Sequence, residues 1–298
     1  MKKFLSLIVF FVMLLLMLYK PLLAAPGALH LVSGPGFWAN DLPDRFIFLE
    51  HLYYYHAGKM FNGNGHTENI KDTNVVLSLH RFIKPWHFGE NDKFQIVAEG
   101  ILNQYDYFNI HNDGKNSKTA MANPIVLSRL GWRNTENTTH LSIACAWQIP
   151  LGDEDLVKAL NGGNGGNNHA IIPFATYEQR WDNFWLDAST AYWHNFEDLD
   201  SNAQVQDYYE FNLAFSYQFH NFKIPIILYA QGDYVKYFEG ENIHGIDLHN
   251  KGHNFAVGPG IRFLFSHRFA VDVKYTRDIE GKNTLRGDSL NTFIEFIF

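Results

Sequence analysis

From Tyr209 to Phe219 the chain places a large apolar or aromatic residue at every second position: Tyr209, Phe211, Leu213, Phe215, Tyr217 and Phe219. The intervening residues, Glu210, Asn212, Ala214, Ser216 and Gln218, are small or polar. A period of two is the signature of a β-strand whose faces meet different surroundings. The same alternation recurs at Phe255, Val257, Ile261, Phe263 and Phe265, with Asn254, Gly258, Gly260 and Arg262 between them. It recurs again at Phe269, Val271, Val273 and Tyr275, with Asp272 and Lys274 between. The last run, SLNTFIEFIF, puts Leu290, Thr292, Ile294, Phe296 and Phe298 on one face and Asn291 and Glu295 on the other.

Twelve strand-like runs follow from this reading, over 45–56, 74–86, 93–107, 122–133, 139–150, 170–180, 184–195, 207–220, 222–238, 253–265, 268–278 and 289–298. Strands one, four and six alternate poorly, and their faces are left unassigned. The connections alternate in length. Odd ones are long and polar, from AGKMFNGNGHTENIKDT to IEGKNTLRG; even ones are short, such as HFGEND, NTEN, WDN, a turn at Asn221, and SH. In an up-and-down meander the odd connections share one end and the even ones the other. Short periplasmic turns, longer extracellular loops and an even strand number are the pattern of a transmembrane β-barrel. The expected fold is all-β, an antiparallel up-and-down transmembrane barrel of about twelve strands over 45–298. The apolar faces meet lipid and the polar faces the lumen, with the sheet closed because hydrocarbon offers no partner to an open edge.

The N-terminus begins with Lys2 and Lys3, continues in an apolar run from Phe4 to Leu18, and ends in Lys20-Pro21 and the small pair Ala24-Ala25. This is the layout of a cleaved secretory signal peptide over 1–25. Its apolar run is shorter than the roughly 20 residues of a spanning helix. Residues 26–44, PGALHLVSGPGFWANDLPD, show no period and contain the Phe37-Trp38 pair. They are expected to form a segment before the barrel, either a plug or a periplasmic tail.

Aromatics are 16% of the chain and charged residues 18%, with mean hydropathy below zero. That balance excludes a helical membrane protein and suits strands that dilute apolar positions with polar ones. Loss of Lys2, Lys3 and Lys20 with the signal takes the formal charge from −7 to −10. An acidic chain argues against a nucleic-acid partner. The partners implied are a small-molecule solute, outer-membrane lipid and, during biogenesis, the outer-membrane assembly machinery, which reads a terminal aromatic strand ending in Phe.

Parity assigns a set of side chains to the lumen: the acids Glu99, Glu178, Asp187, Glu210, Asp233, Asp272 and Glu295, and the bases Arg180, Arg262 and Lys274. Trp185, Trp193 and Tyr229 share the inward parity. These are the candidate pore-lining residues. Two readings apply to them: a cross-linking network that stiffens the barrel, or a polar path selecting solutes by size and charge.

No catalytic, cofactor or metal site is assigned. The single cysteine, Cys145, allows no internal disulfide and shares the apolar parity of Leu141, Ile143 and Trp147. His244, Asp247, His249 and His253 gather in a loop at spacings that match no metal motif, so a solvated loop is expected. The NGGNGGNN stretch at 161–168 is read as the tip of a long loop. There is no His-x-Ser-Asn-Gly run of the outer-membrane phospholipase kind.

The stretches NPIVLSRLGWRNTENTTHLSIACAWQIPLGD (123–153), FWLDASTAYWHN (184–195), DYYEFNLAFSYQF (207–219) and GPGIRFLFSHRFAVDVKY (258–275) resemble the outer-membrane transporter family linked to the meta-pathway of phenol degradation. Asn123-Pro124 stands where that family's pattern suggests Gly-Asp. The resemblance implies an outer-membrane barrel transporter and supplies no site residues. Nucleoside-specific channel-forming proteins are a second likeness in size and lumen character. The function expected is passive passage of small, aromatic or hydrophobic solutes across the outer membrane. The alternative is a structural or adhesion barrel that binds partners through its long loops. A nucleoside-type channel or an outer-membrane hydrolase ranks below both.

Overall fold

The computed structural model describes residues 42–109, 120–152, 168–198, 207–238, 240–241, 247–248 and 251–298. The expected signal peptide, residues 26–41 and the NGGNGGNN tip up to Asn167 lie outside the described residues. So do His244 and His249 of the loop cluster.

Twelve long strands make up the barrel. They are β1 (Ile47–Phe61), β2 (Thr67–Phe88), β3 (Phe94–Asn109), β4 (Ile125–Arg133), β5 (Thr139–Gln148) and β6 (Asn168–Trp181), followed by β7 (Phe184–Asp198), β8 (Tyr208–Phe219), β9 (Ile226–Tyr237), β10 (Gly252–Ser266), β11 (Phe269–Lys282) and β12 (Thr284–Ile297). Each pairs antiparallel with its sequence neighbours, and β1 pairs with both β2 and β12, which closes the sheet. Closure begins at Ile47↔Ile297, and Phe298 N donates to Phe46 O at 2.9 Å. A closed ladder leaves no unpaired edge, the condition for crossing hydrocarbon with strands. No helix among the described residues is long and apolar enough to cross a membrane.

The outward face carries the alternating apolar residues. On β8, Phe211 is exposed, whereas Glu210, Asn212, Ala214 and Ser216 are buried. Cys145 faces outward with Ile143 and Trp147, as its parity predicts. Near the ends that join β10 to β11 and close β12 on β1, aromatic rings touch in series: Phe263, Phe265, Phe269 and Phe296, then Phe298, Phe46 and Phe82. Such a girdle marks a membrane–water boundary. Toward the opposite ends, Trp147 stacks on His169, and Tyr192 meets Phe238. The outward pair His80 Nδ1 and Glu50 Oε2, 2.5 Å apart, interrupts the apolar belt with matched groups.

Three boundaries differ from expectation. The first long connection, expected over 57–73, is mostly strand: β1 continues to Phe61, β2 starts at Thr67, and only 62–66 turn. Asn62 N donates to His66 O at 2.9 Å, and Asn62 Oδ1 accepts from Asn64 N and His66 N. The last connection likewise shrinks to Asn283, at φ 51. Beyond the membrane both sheet faces meet polar surroundings, so alternation lapses while the backbone ladder runs on. Conversely, the expected turn at Asn221 is a longer connection from His220 to Pro225, since proline has no N–H to donate to the ladder.

Asn123-Pro124, the departure from the family pattern, sits at a break between the two-residue strand Ala120–Met121 and β4. Asn123 is fully buried. Its carbonyl accepts from Asn103 Nδ2 at 2.9 Å and its Oδ1 accepts from Gly152 N at 2.8 Å. It ties β3 to the chain leaving β5.

Candidate channel interior

The interior has two walls of different chemistry. On β1 to β6 Leu49, Leu79, Ile101, Leu127, Ile172 and Phe174 are buried in one apolar cluster, interspersed with inward polar residues such as Arg81, Glu99, Arg129, His140 and Glu178. On β7 to β12 the inward residues are largely polar or charged: Glu210, Asn212, Asp233, Asn254, Asp272 and Lys274 are buried. Strands one, four and six fail to alternate for this reason. In β4 the outward Val126 and Leu130 flank inward Ile125 and Leu127, so both faces read as apolar.

The expected lumen residues all have inward register, but they fall into separate groups. Glu99 belongs to the first wall. Its Oε1 accepts from Arg81 Nε at 2.5 Å, and Arg129 lies close enough to feel its charge. Glu178 pairs with His140 Nδ1 at 3.0 Å and with Arg180, whose guanidinium stacks 4.7 Å from the Trp185 ring. Asp187 is the cross-strand partner of Glu178. Arg180 and Trp185 are partly exposed at the end bearing the short turns.

A third group spans β9 to β12. Tyr229 donates to Asp272 Oδ1 at 2.5 Å, Arg262 NH2 to Glu295 Oε2 at 3.0 Å, and Lys274 Nζ lies 3.7 Å from Asp233 Oδ2. Gln231 Nε2 also donates to Asp233. The Arg262–Glu295 and Lys274–Asp233 pairs match opposite charges where water is scarce, and the Tyr229 and Gln231 donors add hydrogen bonds to the buried carboxylates, which lowers the penalty of burying each. Trp193 and Glu210 form a fourth group higher on β7 and β8, where Trp193 stacks on Tyr208 with centroids 4.9 Å apart.

Several interior residues escaped the sequence reading. Arg81, Arg129, His140 and Arg286 are buried and inward, as are His51 and Phe293, whose rings stack at 3.9 Å. His51 and Arg129 lie on strands with unassigned faces and Arg286 in an expected connection, whereas Arg81, His140 and Phe293 lie on expected strands without having been singled out. The signal for Arg81 and Arg129 was their placement one strand to either side of Glu99, visible only with the register known.

At the short-turn mouth, Leu42 packs against Ile47, Ile83 and Val97, and its carbonyl accepts from Gln95 Nε2 at 2.8 Å. Beside it, outside the membrane-spanning strands, the hydrogen bond from Lys84 Nζ holds the Asp44 carboxyl below its ordinary value. Among the described residues no three metal-ligating side chains gather. His253 instead faces outward, 3.4 Å from Glu280.

The closed sheet, its aromatic girdle and its apolar outer face define a transmembrane β-barrel of the outer membrane. The chain belongs to the family described as "Putative MetA-pathway of phenol degradation", whose sequence profile matches residues 58–293. In three dimensions it is similar to the COG4313 outer membrane channel from Pseudomonas putida F1, at TM-score 0.76 and 13% identity, covering 90% of this chain and 100% of that one. It is also similar to the β domain of the Bordetella autotransporter BrkA, at TM-score 0.55 and 10% identity, covering 86% and 100%. The CymD monoaromatic hydrocarbon channel aligns at TM-score 0.46 and 8% identity, covering 87% and 90%. No curated protein sequence matches the chain.

Proposed function

We propose that the barrel is a passive outer-membrane channel for small solutes with apolar or aromatic surface. The cluster of apolar side chains on the inner face of β1 to β6 carries this reading. Water-filled porin interiors are polar, whereas here Leu79, Leu127, Ile172 and Phe174 face inward. Twelve strands enclose a narrower space than the 16–18 of open porins, so a passing solute would touch both walls. A planar ring with one hydroxyl suits that pair of surfaces, its ring against the apolar side and its hydroxyl toward the polar side.

On this reading Glu99, Glu178, Arg180, Asp187, Glu210, Asp233, Arg262, Asp272, Lys274, Glu295, Trp185, Trp193 and Tyr229 line the path, and the role is transport rather than catalysis. Membership of the phenol-degradation family and the likeness to the outer membrane channel from Pseudomonas putida F1 support it.

Uptake of labelled phenol by cells with a lipopolysaccharide-bearing outer membrane tests the proposal. Cells producing the barrel should take up phenol faster than cells without it. Leu127→Asp and Phe174→Asp should remove the gain while leaving a heat-modifiable, folded barrel. Folded barrel with no gain in uptake would sink the channel reading and favour a structural or adhesion role.

A further inference from the structure

Glu210 differs from the other interior carboxylates. Asp233 has Gln231 and Lys274, Asp272 has Tyr229, Glu295 has Arg262, and Glu178 has His140 and Arg180. Glu210 is fully buried, and neither of its carboxylate oxygens has a hydrogen-bond partner among the described residues. The indole N–H of Trp193 lies toward it but outside hydrogen-bonding geometry. Asp233, one strand over, adds a second negative charge nearby. A buried carboxylate left unmatched is costly.

The surroundings of Glu210 are aromatic. Two residues back on the same strand face, Tyr208 stacks on Trp193 with centroids 4.9 Å apart and planes at 19°. Tyr237 follows at 5.9 Å from Tyr208. Aromatic faces attract a cation through the ring quadrupole, more strongly where water is excluded.

We propose that Glu210, Trp193, Tyr208 and Tyr237 form a subsite for an organic cation, a primary ammonium carried on an aromatic or apolar body. This rests on the channel reading and narrows its solute class. A neutral phenol would leave Glu210 unmatched. An inorganic cation would answer the carboxylate but has no apolar body to cover the rings. An aromatic ammonium answers both: its N–H groups reach the carboxylate and its charge faces the rings.

The test is calorimetric titration of the full barrel, folded in lipid nanodiscs, with phenethylammonium chloride, 2-phenylethanol and potassium chloride. The ammonium should bind more tightly than the isosteric alcohol. Glu210→Gln should weaken it about tenfold or more, the scale of a lost charge-assisted hydrogen bond, and leave the alcohol unchanged. Trp193→Leu should weaken it as well. Equal affinity of the wild type for ammonium and alcohol, or no ammonium binding, would overturn the proposal without recourse to any variant. A Glu210→Gln barrel that binds the ammonium like the wild type would also overturn the proposal. Displacement of phenethylammonium by equimolar potassium would reassign the site to inorganic cations. None of these failures touches the channel reading, which stands or falls on phenol uptake.

Discussion

The ring of Tyr229 lies across Gly260, its cross-strand partner on β10, and carries its hydroxyl to Asp272 Oδ1 on β11, 2.5 Å away. The absence of a side chain at Gly260 opens the route, since a Cβ there would overlap the Tyr229 ring and hydroxyl. Glycine under an aromatic ring from the next strand is a recurring device for pinning register. Tyr55 and Gly287 repeat it at the β1–β12 closure.

Gly260→Ala is therefore expected to destabilise the barrel by about 1–3 kcal/mol, the range for forcing extra volume into a packed site. Gly100→Ala, where a new Cβ meets open space, should change little. Urea midpoints of both variants in lipid vesicles provide the comparison. Adding Tyr229→Leu to Gly260→Ala should recover part of the loss, because the two positions share one space.

Glu99 sits between two guanidinium groups on neighbouring strands, those of Arg81 and Arg129, all three buried. Glu99→Gln removes the negative charge between two positive ones. The expected loss is about 3–5 kcal/mol, the scale for breaking a buried ion pair on one side. Glu99→Gln with Arg81→Met should fold better than Glu99→Gln alone. Refolding yields by heat-modified mobility would check this, and a double variant worse than the single would count against the account.

Depth on the lipid face sets the cost of a charge there. Ile143 projects outward from β5, opposite Leu130 and Ala175, and is 65% exposed. Ile143→Arg should cost roughly 2–4 kcal/mol, the range for a cation at mid-bilayer. Phe222, in the connection between β8 and β9, should tolerate arginine at about 0–1 kcal/mol, as positions near the interface do. Equal losses at the two sites would mean that the membrane belt is misplaced.

Orientation follows from the sorting of connections. A tag at Gly63, in the β1–β2 turn, should react with an impermeant reagent on intact cells. A tag at Asn221, in the β8–β9 connection, should react only after the outer membrane is opened. Tags at Gly163 and Gly245, in expected loops on the same side as Gly63, should follow Gly63. Labelling of Asn221 without Gly63 would invert the topology.

Much of the barrel was legible in the chain, because lipid on one side and a polar interior on the other impose a period of two. On β8, β10 and β11 that constraint is written residue by residue, and the burial of Glu210, Arg262, Asp272 and Lys274 agrees with it. The succession of polar connections between alternating runs led to an even number of strands, but closure is seen only in the pairing of β1 with β12, and the first and last of the expected long loops are tight turns. Parity says which side a residue faces. It is silent about height along the strand and about which other strand lies opposite. Tertiary structure alone decided that Glu99 meets Arg81 and Arg129, that Glu178 meets His140, and that Glu210 meets no cation among the described residues. Those pairings depend on register and stagger, which are set by the whole ladder of backbone hydrogen bonds around the closed sheet. The apolar inner cluster was hidden for a related reason. Where Ile125, Leu127, Ile172 and Phe174 face inward and apolar neighbours face lipid, both faces carry the same chemistry, and only the fold separates them.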